Sequence, residues 1–468
     1  MSEKKNLQTD RREFIKFAGA ATALSALGVP RVFGAAGADH KLQLAIVGCG
    51  GRGTGAVVDA MEAAKGTYPI TLVAMADVFQ NRLDDSHNAL TERFKETPDV
   101  MAVPKDKQFV GFDAYKKALD CLNAGDIAIF ATPLAFRWVH FQYAIDRGIH
   151  VFMEKPLVAD SVSAKRMLDL AKKADAKNLK VSVGLMIRHC RARQELQKRI
   201  SDGEIGDLIG MRAYRMHPPV GSCFSERMPA GKDELKWQIE RFHSFLWASG
   251  GLFNDFYVHQ IDEVCWMKNA WPIQAQALGG RHFRDNFVDQ NFDNYSVEYT
   301  FDDGTKFFFD GRTMIGAAQD MSSVVHGTKG SGIVSTSGHF PGKCRTFKGQ
   351  KQDRKSVVWA AKQPELNPYV MEWKDLLDAI TKDQPHNEVP RAIEACLVSN
   401  MGRMAAHTGQ VITYDQIVSC PHEMAPGIAD FKEGSPAPVV ADANGKYPVP
   451  MPGVNIDREY GSANGSKA

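Results

Sequence analysis

The sequence holds no CxxC pair: its eight cysteines, at 49, 121, 190, 223, 265, 344, 396 and 420, stand far apart. No cysteine–histidine spacing matches a zinc site either, so zinc-ribbon and dithiol chemistry are excluded and no metal is expected. A long hydrophobic run is also missing. The most apolar stretch, Phe17 to Val29, covers 13 residues and is rich in alanine. That is too short to span a bilayer as a helix, so no stable membrane anchor is expected. Finally, neither charge dominates: 57 Lys and Arg face 55 Asp and Glu. The clustered basic excess that nucleic acid requires is absent, which excludes it as a partner. What remains is ordinary globular composition, 44% apolar and 24% charged, in a chain of 468 residues. That length calls for two or more domains.

The first 38 residues read as a targeting segment rather than fold. Asp10-Arg11-Arg12-Glu13-Phe14-Ile15-Lys16 precedes the apolar stretch, and Ala36-Gly37-Ala38 follows as a cleavage site. The paired arginines resemble a twin-arginine export signal, with Asp10 where Ser or Thr is usual and Ile15 where Leu is usual. The alternative is an amphipathic helix with a chance arginine pair. Export by this route implies the twin-arginine machinery as a partner, a periplasmic location and passage of an already folded protein.

Residues 39–185 alternate strand and helix signals. Leu42 to Val47 is an apolar strand that runs into Gly48-Cys49-Gly50-Gly51-Arg52-Gly53, a G-x-G-x-x-G, and a helix pattern continues from Thr54 to Ala64. Glycines there permit a tight turn and let backbone N–H groups approach a pyrophosphate at the helix N-terminus. The next strand, Ile70 to Ala76, ends in Asp77, roughly twenty residues after Gly53, where an acid can hold ribose hydroxyls and repel a 2′-phosphate. NAD is therefore expected in preference to NADP, the alternative being that Asp77 only caps the following helix. Further strands are expected at Ile127–Pro133, His150–Glu154 and Lys180–Leu185, with helices at 113–122, 135–147 and 161–176. This alternation predicts a doubly wound parallel sheet with ligands at the strand C-terminal ends. Gly48, Asp77, Thr132 and Lys155 all sit at such ends. Lys155 is the most telling of them, because an apolar strand rarely delivers a lysine to its inner end without a partner for the charge.

Residues 186–425 change character. A helix at 191–202, a long strand at Leu208–His217 and successive strands at 274–283, 294–301, 306–310 and 322–326 predict an α+β domain with an open, mostly antiparallel sheet. Asp302-Asp303-Gly304 marks a hairpin. Tyr295, Val297, Tyr299 and Phe301 alternate, so one face is apolar and needs cover from helices, expected at 371–381 and 390–407, or from a second subunit in a homo-oligomer. The helical segment after Gly250-Gly251 places Asp255 and His259 four residues apart on one face. Residues 426–468 read as an irregular C-terminal arm.

Lys155, Asp255 and His259 together suit carbinol chemistry. An imidazole takes a hydroxyl proton near neutral pH, a lysine stabilises developing alkoxide, and a carboxylate orients the imidazole or holds a substrate hydroxyl. His140, His189, His217, His243 and Arg188 are further groups that can reach a cleft, each read as structural or peripheral.

The G-x-G-x-x-G at 48–53, Ala131-Thr132-Pro133 with His140, Glu154-Lys155-Pro156, and Gly250-Gly251 with Asp255 and His259 resemble the Gfo/Idh/MocA oxidoreductases over residues 40–425. The resemblance implies a Rossmann domain plus an open-faced sheet domain, a bound NAD(P) and oxidation or reduction of a sugar or polyol hydroxyl. Lys155, Asp255 and His259 take the catalytic positions. Gly48, Gly50, Gly51, Arg52, Gly53, Asp77, Thr132, Pro133, Glu154 and Lys155 hold the cofactor, and Arg188, His189 and Tyr257 contact substrate. A related branch cleaves glycosides through transient oxidation and lacks the lysine of the E-K-P motif, so Lys155 favours a dehydrogenase over such a glycosidase. A non-catalytic sugar- or dinucleotide-binding protein is the third reading. In a periplasm poor in free NAD, the cofactor is expected to be held tightly.

Overall fold

In the computed structural model, which describes residues 41–460 apart from positions 283 and 285, the first half folds as the alternation requires. The expected export signal lies outside the described residues. The order is β1 (Leu42–Val47), α1 (Gly51–Ala64), β2 (Ile70–Asp77), α2 (Gln80–Arg93), β3 (Gln108–Val110), α3 (Ala114–Leu119), β4 (Ile127–Phe130), α4 (Arg137–Arg147), β5 (His150–Met153), α5 (Ser161–Ala176) and β6 (Val181–Val183). The six strands make one parallel sheet, β3-β2-β1-β4-β5-β6. Its centre is almost wholly buried, as helices on both faces dictate. The strand order reverses between β1 and β4, which opens a crevice at their C-terminal ends. Two elements escape the sequence pattern: α2 is mostly polar, burying only Leu83, Ser86 and Leu90, and β3 has three residues at an edge.

The second half contributes α6 (Arg191–Ser201), β7 (Leu208–His217), α7 (Glu234–Glu240), α8 (Leu246–Ser249), α9 (Gly251–Lys268), β8 (Gln274–Gly280), β9 (Asn294–Thr300), β10 (Lys306–Thr313), β11 (Ser323–Gly327), β12 (Gly330–Ser335), β13 (Arg345–Lys348) and β14 (Val357–Ala360). After them come α10 (Pro368–Thr381), α11 (Val389–Thr408), β15 (Ile412–Thr413) and α12 (Tyr414–Ser419). The sheet order is β14-β13-β12-β11-β7-β10-β9-β8-β15, antiparallel apart from the β7–β10 pair. Asp302-Asp303-Gly304 makes the β9–β10 turn, with Thr300 opposite Lys306. β12 to β14 are not legible as strands: β12 is glycine-rich and β14 largely exposed.

Cover for the apolar face comes from the chain's own helices. Tyr295 packs its ring 5.0 Å from Phe253 of α9, and the Tyr299 hydroxyl donates to the Val398 carbonyl of α11 at 3.2 Å. The opposite face stays open, with Phe308 and Leu278 exposed. α10 returns to the first half, where Trp373 stacks on Phe152 of β5 at 4.4 Å, so the sequence division near residue 186 is not a clean division in space.

The described part of the C-terminal arm, up to residue 460, is irregular but firmly seated. Tyr447 stacks on Trp237 at 5.9 Å, and Gln238 donates to the Val439 carbonyl at 2.6 Å, so the arm clasps α7. Within it Glu459 takes both arms of the Arg403 guanidinium, at 2.7 and 2.8 Å, and accepts from His407 Nδ1 at 2.9 Å. Arg403 also donates to the carbonyls of Gly250 and Ala159, at 3.0 and 2.9 Å. Burial alone would raise the Glu459 carboxyl, but Arg403 and His407 outweigh it and hold the pKa at about 2, against an ordinary 4.5. A depressed acid stabilises the fold above its unfolded pKa and loses that contribution as pH falls. Glu459→Gln, which leaves Arg403 buried without a counter-charge, is expected to cost about 3 kcal/mol of stability at neutral pH. Denaturant unfolding should show the gap between wild type and variant closing as pH falls from about 5 toward 2. A gap that stays constant with pH would remove the ion pair from the account.

Candidate active site

β1 ends in the glycine loop, and Gly48, with φ +97°, lies so close to β4 that a Cβ there would stand 2.7 Å from the Thr132 nitrogen. No side chain fits. The loop is braced from below by Asp77, whose Oδ2 accepts from the Cys49 N–H at 2.6 Å and whose Oδ1 accepts from the Phe79 N–H at 2.9 Å. Arg52 then reaches across the loop. Its Nε donates to Glu154 at 2.6 Å and its Nη2 to Asp59 at 3.1 Å, and it lies 4.9 Å above the Tyr369 ring.

A groove of about 410 Å³ runs along these strand ends. Gly48, Gly50, Gly51, Arg52, Gly53, Asp77, Thr132 and Pro133 line it, so eight of the expected cofactor residues converge. Glu154 and Lys155 stand beyond its lining, at the end of β5. The far wall comes from the second half, at Gly221, Ser222 and the run Ile239 to His243. That wall follows the α7 segment that the C-terminal arm clasps.

One residue without a sequence signal holds the strand ends together. Arg137 is buried at the start of α4 and donates to the carbonyls of Phe130 at 2.9 Å, Thr132 at 2.7 Å and Glu154. Burial lowers its pKa to about 10, which still leaves it charged at neutral pH. His140 lines the groove, and its Nδ1 lies 3.3 Å from the Thr132 hydroxyl. Burial, with Arg137 adding to it, pushes its pKa down to about 3, so it is a neutral partner for that hydroxyl.

Lys155 meets its partner 100 residues away. Its Nζ donates to the backbone carbonyl of Asp255 at 2.6 Å and stands 3.6 Å from the carboxylate. Asp255 does not orient His259, as its position four residues earlier suggests. Its other oxygen lies 3.4 Å from His243 Nε2 instead. The His259 ring turns toward His339, centroids 4.4 Å apart, and its Nδ1 has no hydrogen-bond partner. Burial pushes the His259 pKa well down, aided by His339 and Lys155, so the ring is neutral. His243, read as peripheral in the sequence, is thus the histidine that Asp255 faces. Nothing in the irregular stretch around it gives that away.

The three expected substrate contacts sit elsewhere. Arg188 is spent on Asp262, at 2.7 and 3.0 Å. His189 lies between Asp375 at 2.7 Å and Glu388 at 3.1 Å. Tyr257 is wholly buried against Phe253 and Phe309. Charge pairing and core packing therefore claim all three, and none lines the groove.

Two family models match the chain. One, described as an oxidoreductase family with an NAD-binding Rossmann fold, spans residues 42–184, and the other, the GFO/IDH/MocA C-terminal domain, spans residues 193–333. The chain belongs to the Gfo/Idh/MocA family. Among curated relatives, inositol 2-dehydrogenase of Corynebacterium glutamicum is 26% identical over 204 residues, 43% of this chain and 52% of that protein. Inositol 2-dehydrogenase/D-chiro-inositol 3-dehydrogenase of Lacticaseibacillus casei is 32% identical over 103 residues, 22% of this chain and 29% of that protein. The chain spans about half the length of the curated inositol 2-dehydrogenases that head these matches. Two solved structures share the fold. Aldose-aldose oxidoreductase from Caulobacter crescentus covers 80% of this chain and all of its own, with a TM-score of 0.61 at 16% identity. Myo-inositol 2-dehydrogenase from Lactobacillus plantarum covers 80% of this chain and 99% of its own, with a TM-score of 0.56 at 19% identity.

The groove fits the family's dinucleotide. A Cβ built on Gly50 or Gly51 meets nothing within 4 Å, so internal packing does not require glycine at either position and the space in front of them is free for a ligand. Behind that space, α1 starts at Gly51 with no side-chain cap and no acid in its first turn, which leaves its N–H groups for an anion. Gly50 has an extended backbone with φ −73°, which valine adopts freely. Gly50→Val is therefore expected to leave the unfolding midpoint nearly unchanged while weakening NAD(H) binding at least about tenfold. Equal loss in both, read by thermal unfolding and by dinucleotide titration, would mean that the glycine serves the fold.

Proposed function

We propose that this protein oxidises a secondary hydroxyl of a sugar, glycoside or polyol, using NAD. The observation that carries this reading is the contact of Lys155 with Asp255 beside a groove shaped for a dinucleotide, with a neutral His259 whose Nδ1 is unpartnered and whose pKa Lys155 helps to lower. The glycine loop and the α1 N-terminus would hold the pyrophosphate, Asp77 the adenosine ribose, and Thr132 and Pro133 the nicotinamide end. The carboxylate of Asp77 would oppose a 2′-phosphate, which supports NAD over NADP. When bound, the dinucleotide supplies the acceptor for the hydride that leaves the carbinol carbon.

The chain's own groups manage the proton and the oxygen. His259, neutral and with Nδ1 unused, takes the hydroxyl proton. Lys155 donates to the same oxygen and stabilises the charge that develops on it. Asp255 holds the lysine in place and faces His243, so its role is positional. The inositol dehydrogenase relatives support a polyol or sugar hydroxyl as the reacting group.

Lys155→Met is expected to lower kcat/KM by at least about 100-fold, the scale of a lost oxyanion donor, with NAD affinity little changed because Lys155 lies outside the groove. Absorbance of NADH beside product chromatography reads the outcome. Full activity in the variant would sink the assignment, and free sugar released without net NADH would indicate glycoside cleavage through transient oxidation instead.

We also propose export by the twin-arginine route, with the dinucleotide held tightly enough to travel inside the folded protein. Arg11-Arg12 ahead of the apolar stretch support it. Replacing both by lysine should strand the protein in the cytoplasm in cell fractionation, while a wild-type preparation should carry co-purifying dinucleotide. Unchanged periplasmic recovery of the double variant would refute the route. A homo-oligomer, if formed, has the open sheet face around Phe308 and Leu278 available to it.

A further inference from the structure

Next to the Lys155 cluster stands a second group of polar side chains that the fold does not use. β7 supplies Arg215 and His217, α9 supplies Gln260 beside His259, and the turn after β12 supplies His339. Arg215 is 8% exposed, His217 5% and Gln260 0%. Buried polar atoms are nearly always partnered, yet here several are not. Arg215 Nε, His217 Nε2, His259 Nδ1 and both amide atoms of Gln260 make no hydrogen bond.

These groups converge. Arg215 Nη1 donates to His339 Nε2 at 2.9 Å, and His339 in turn meets the Tyr369 hydroxyl at 3.1 Å and the His259 ring at 4.4 Å. A Cβ on Gly338 would stand 3.3 Å from Arg215 Nη1 and 3.5 Å from Gln260 Nε2, so guanidinium and amide face the same small backbone. His217 packs its ring 5.8 Å from Phe256, and Lys155 Nζ lies 5.9 Å from that same ring. The second group therefore borders the reacting groups.

Charge is out of balance here. Lys155 has Asp255 at 3.6 Å and the buried Arg193 has Glu263 at 3.0 Å. Arg215 forms no ion pair among the described residues, and its one side-chain partner is an imidazole. Burial pushes the pKa of His217 and of His339 down, so neither ring carries a charge here, and His217 keeps its Nε2 free. A guanidinium nine-tenths buried without a carboxylate is costly, and its fork matches a planar carboxylate.

We propose that the substrate is a carboxylate-bearing sugar of the uronic acid class, with its carboxylate on Arg215 and its hydroxyls on Gln260 and His217. The inference rests on the carbohydrate-oxidising reading of the site. One guanidinium and neutral rings suit a single negative charge better than a phosphate ester.

Binding to the NADH-loaded enzyme tests this independently of turnover. Calorimetry would compare the methyl glycosides of glucuronate, galacturonate and mannuronate with those of glucose, galactose and mannose. At least one acid is expected to bind about 30-fold more tightly than its neutral counterpart, the scale of a charge-assisted bidentate contact. Arg215→Gln should erase that preference and leave neutral sugars and NADH within about threefold. Gln260→Glu, which offers Arg215 an internal carboxylate, should erase it too, and serves if the first variant fails to fold. No preference for an acid in any wild-type pair overturns the proposal. If acids are preferred but no NADH appears with NAD, the substrate class stands and the dehydrogenase reading falls.

Discussion

Three carbonyl oxygens, those of Phe130, Thr132 and Glu154, meet the guanidinium of Arg137. They sit where β4 and β5 end, and although the Phe130 carbonyl already accepts from the Glu154 N–H at 2.8 Å, those of Thr132 and Glu154 lie past the ladder. Left unpaired in the interior, each would cost about as much as a lost hydrogen bond, roughly 1–3 kcal/mol. One buried cation satisfies those two, adds a second bond to the Phe130 carbonyl, and ties the two strand ends together. Thr132 at the groove and Lys155 just beyond it are positioned by that tie. Arg137, buried at the start of α4, is thus as much a part of the candidate site as the residues that line the groove.

A second constraint joins the halves of the molecule. α9 is buried on all sides and begins at Gly250 and Gly251, both left-handed, where a Cβ would strike Asn254 or Asn291. From that start the helix brings Asp255 to Lys155 and His259 to His339. Arg403 grips the Gly250 carbonyl on one side, and Glu459 of the C-terminal arm on the other. Helix α9, the residues after Lys155 and the arm therefore share one buried ion pair.

The alternation of apolar strands, the glycine loop and the strand-end positions of Thr132 and Lys155 were all legible in the sequence, because each follows from local backbone needs. Most of the cofactor set follows with them. What escaped depends on contacts between distant segments. Asp255 and His259 look paired by helical spacing, but the actual partner of Asp255 is His243, set by how α9 lies against the wall after α7. Arg188 and His189 look available in a list of residues, but Asp262, Asp375 and Glu388 neutralise them in space. The arm reads as loose from its composition, yet the few aromatic side chains it has, such as Tyr447, land on waiting rings.

The two ligand regions solve recognition by different means, and this bears on what each can vary. The groove offers an anion mostly backbone: glycines that leave space and a helix N-terminus without a cap. Such a device tolerates little change, since each glycine either avoids a collision or leaves room. The region beside Lys155 offers side chains from a strand and a helix, namely Arg215, His217 and Gln260, held by few bonds of their own. Substituting these alters what is recognised without disturbing the strand ends that Arg137 gathers. In this chain the side chain we propose for that recognition is Arg215, whose guanidinium forms no ion pair among the described residues.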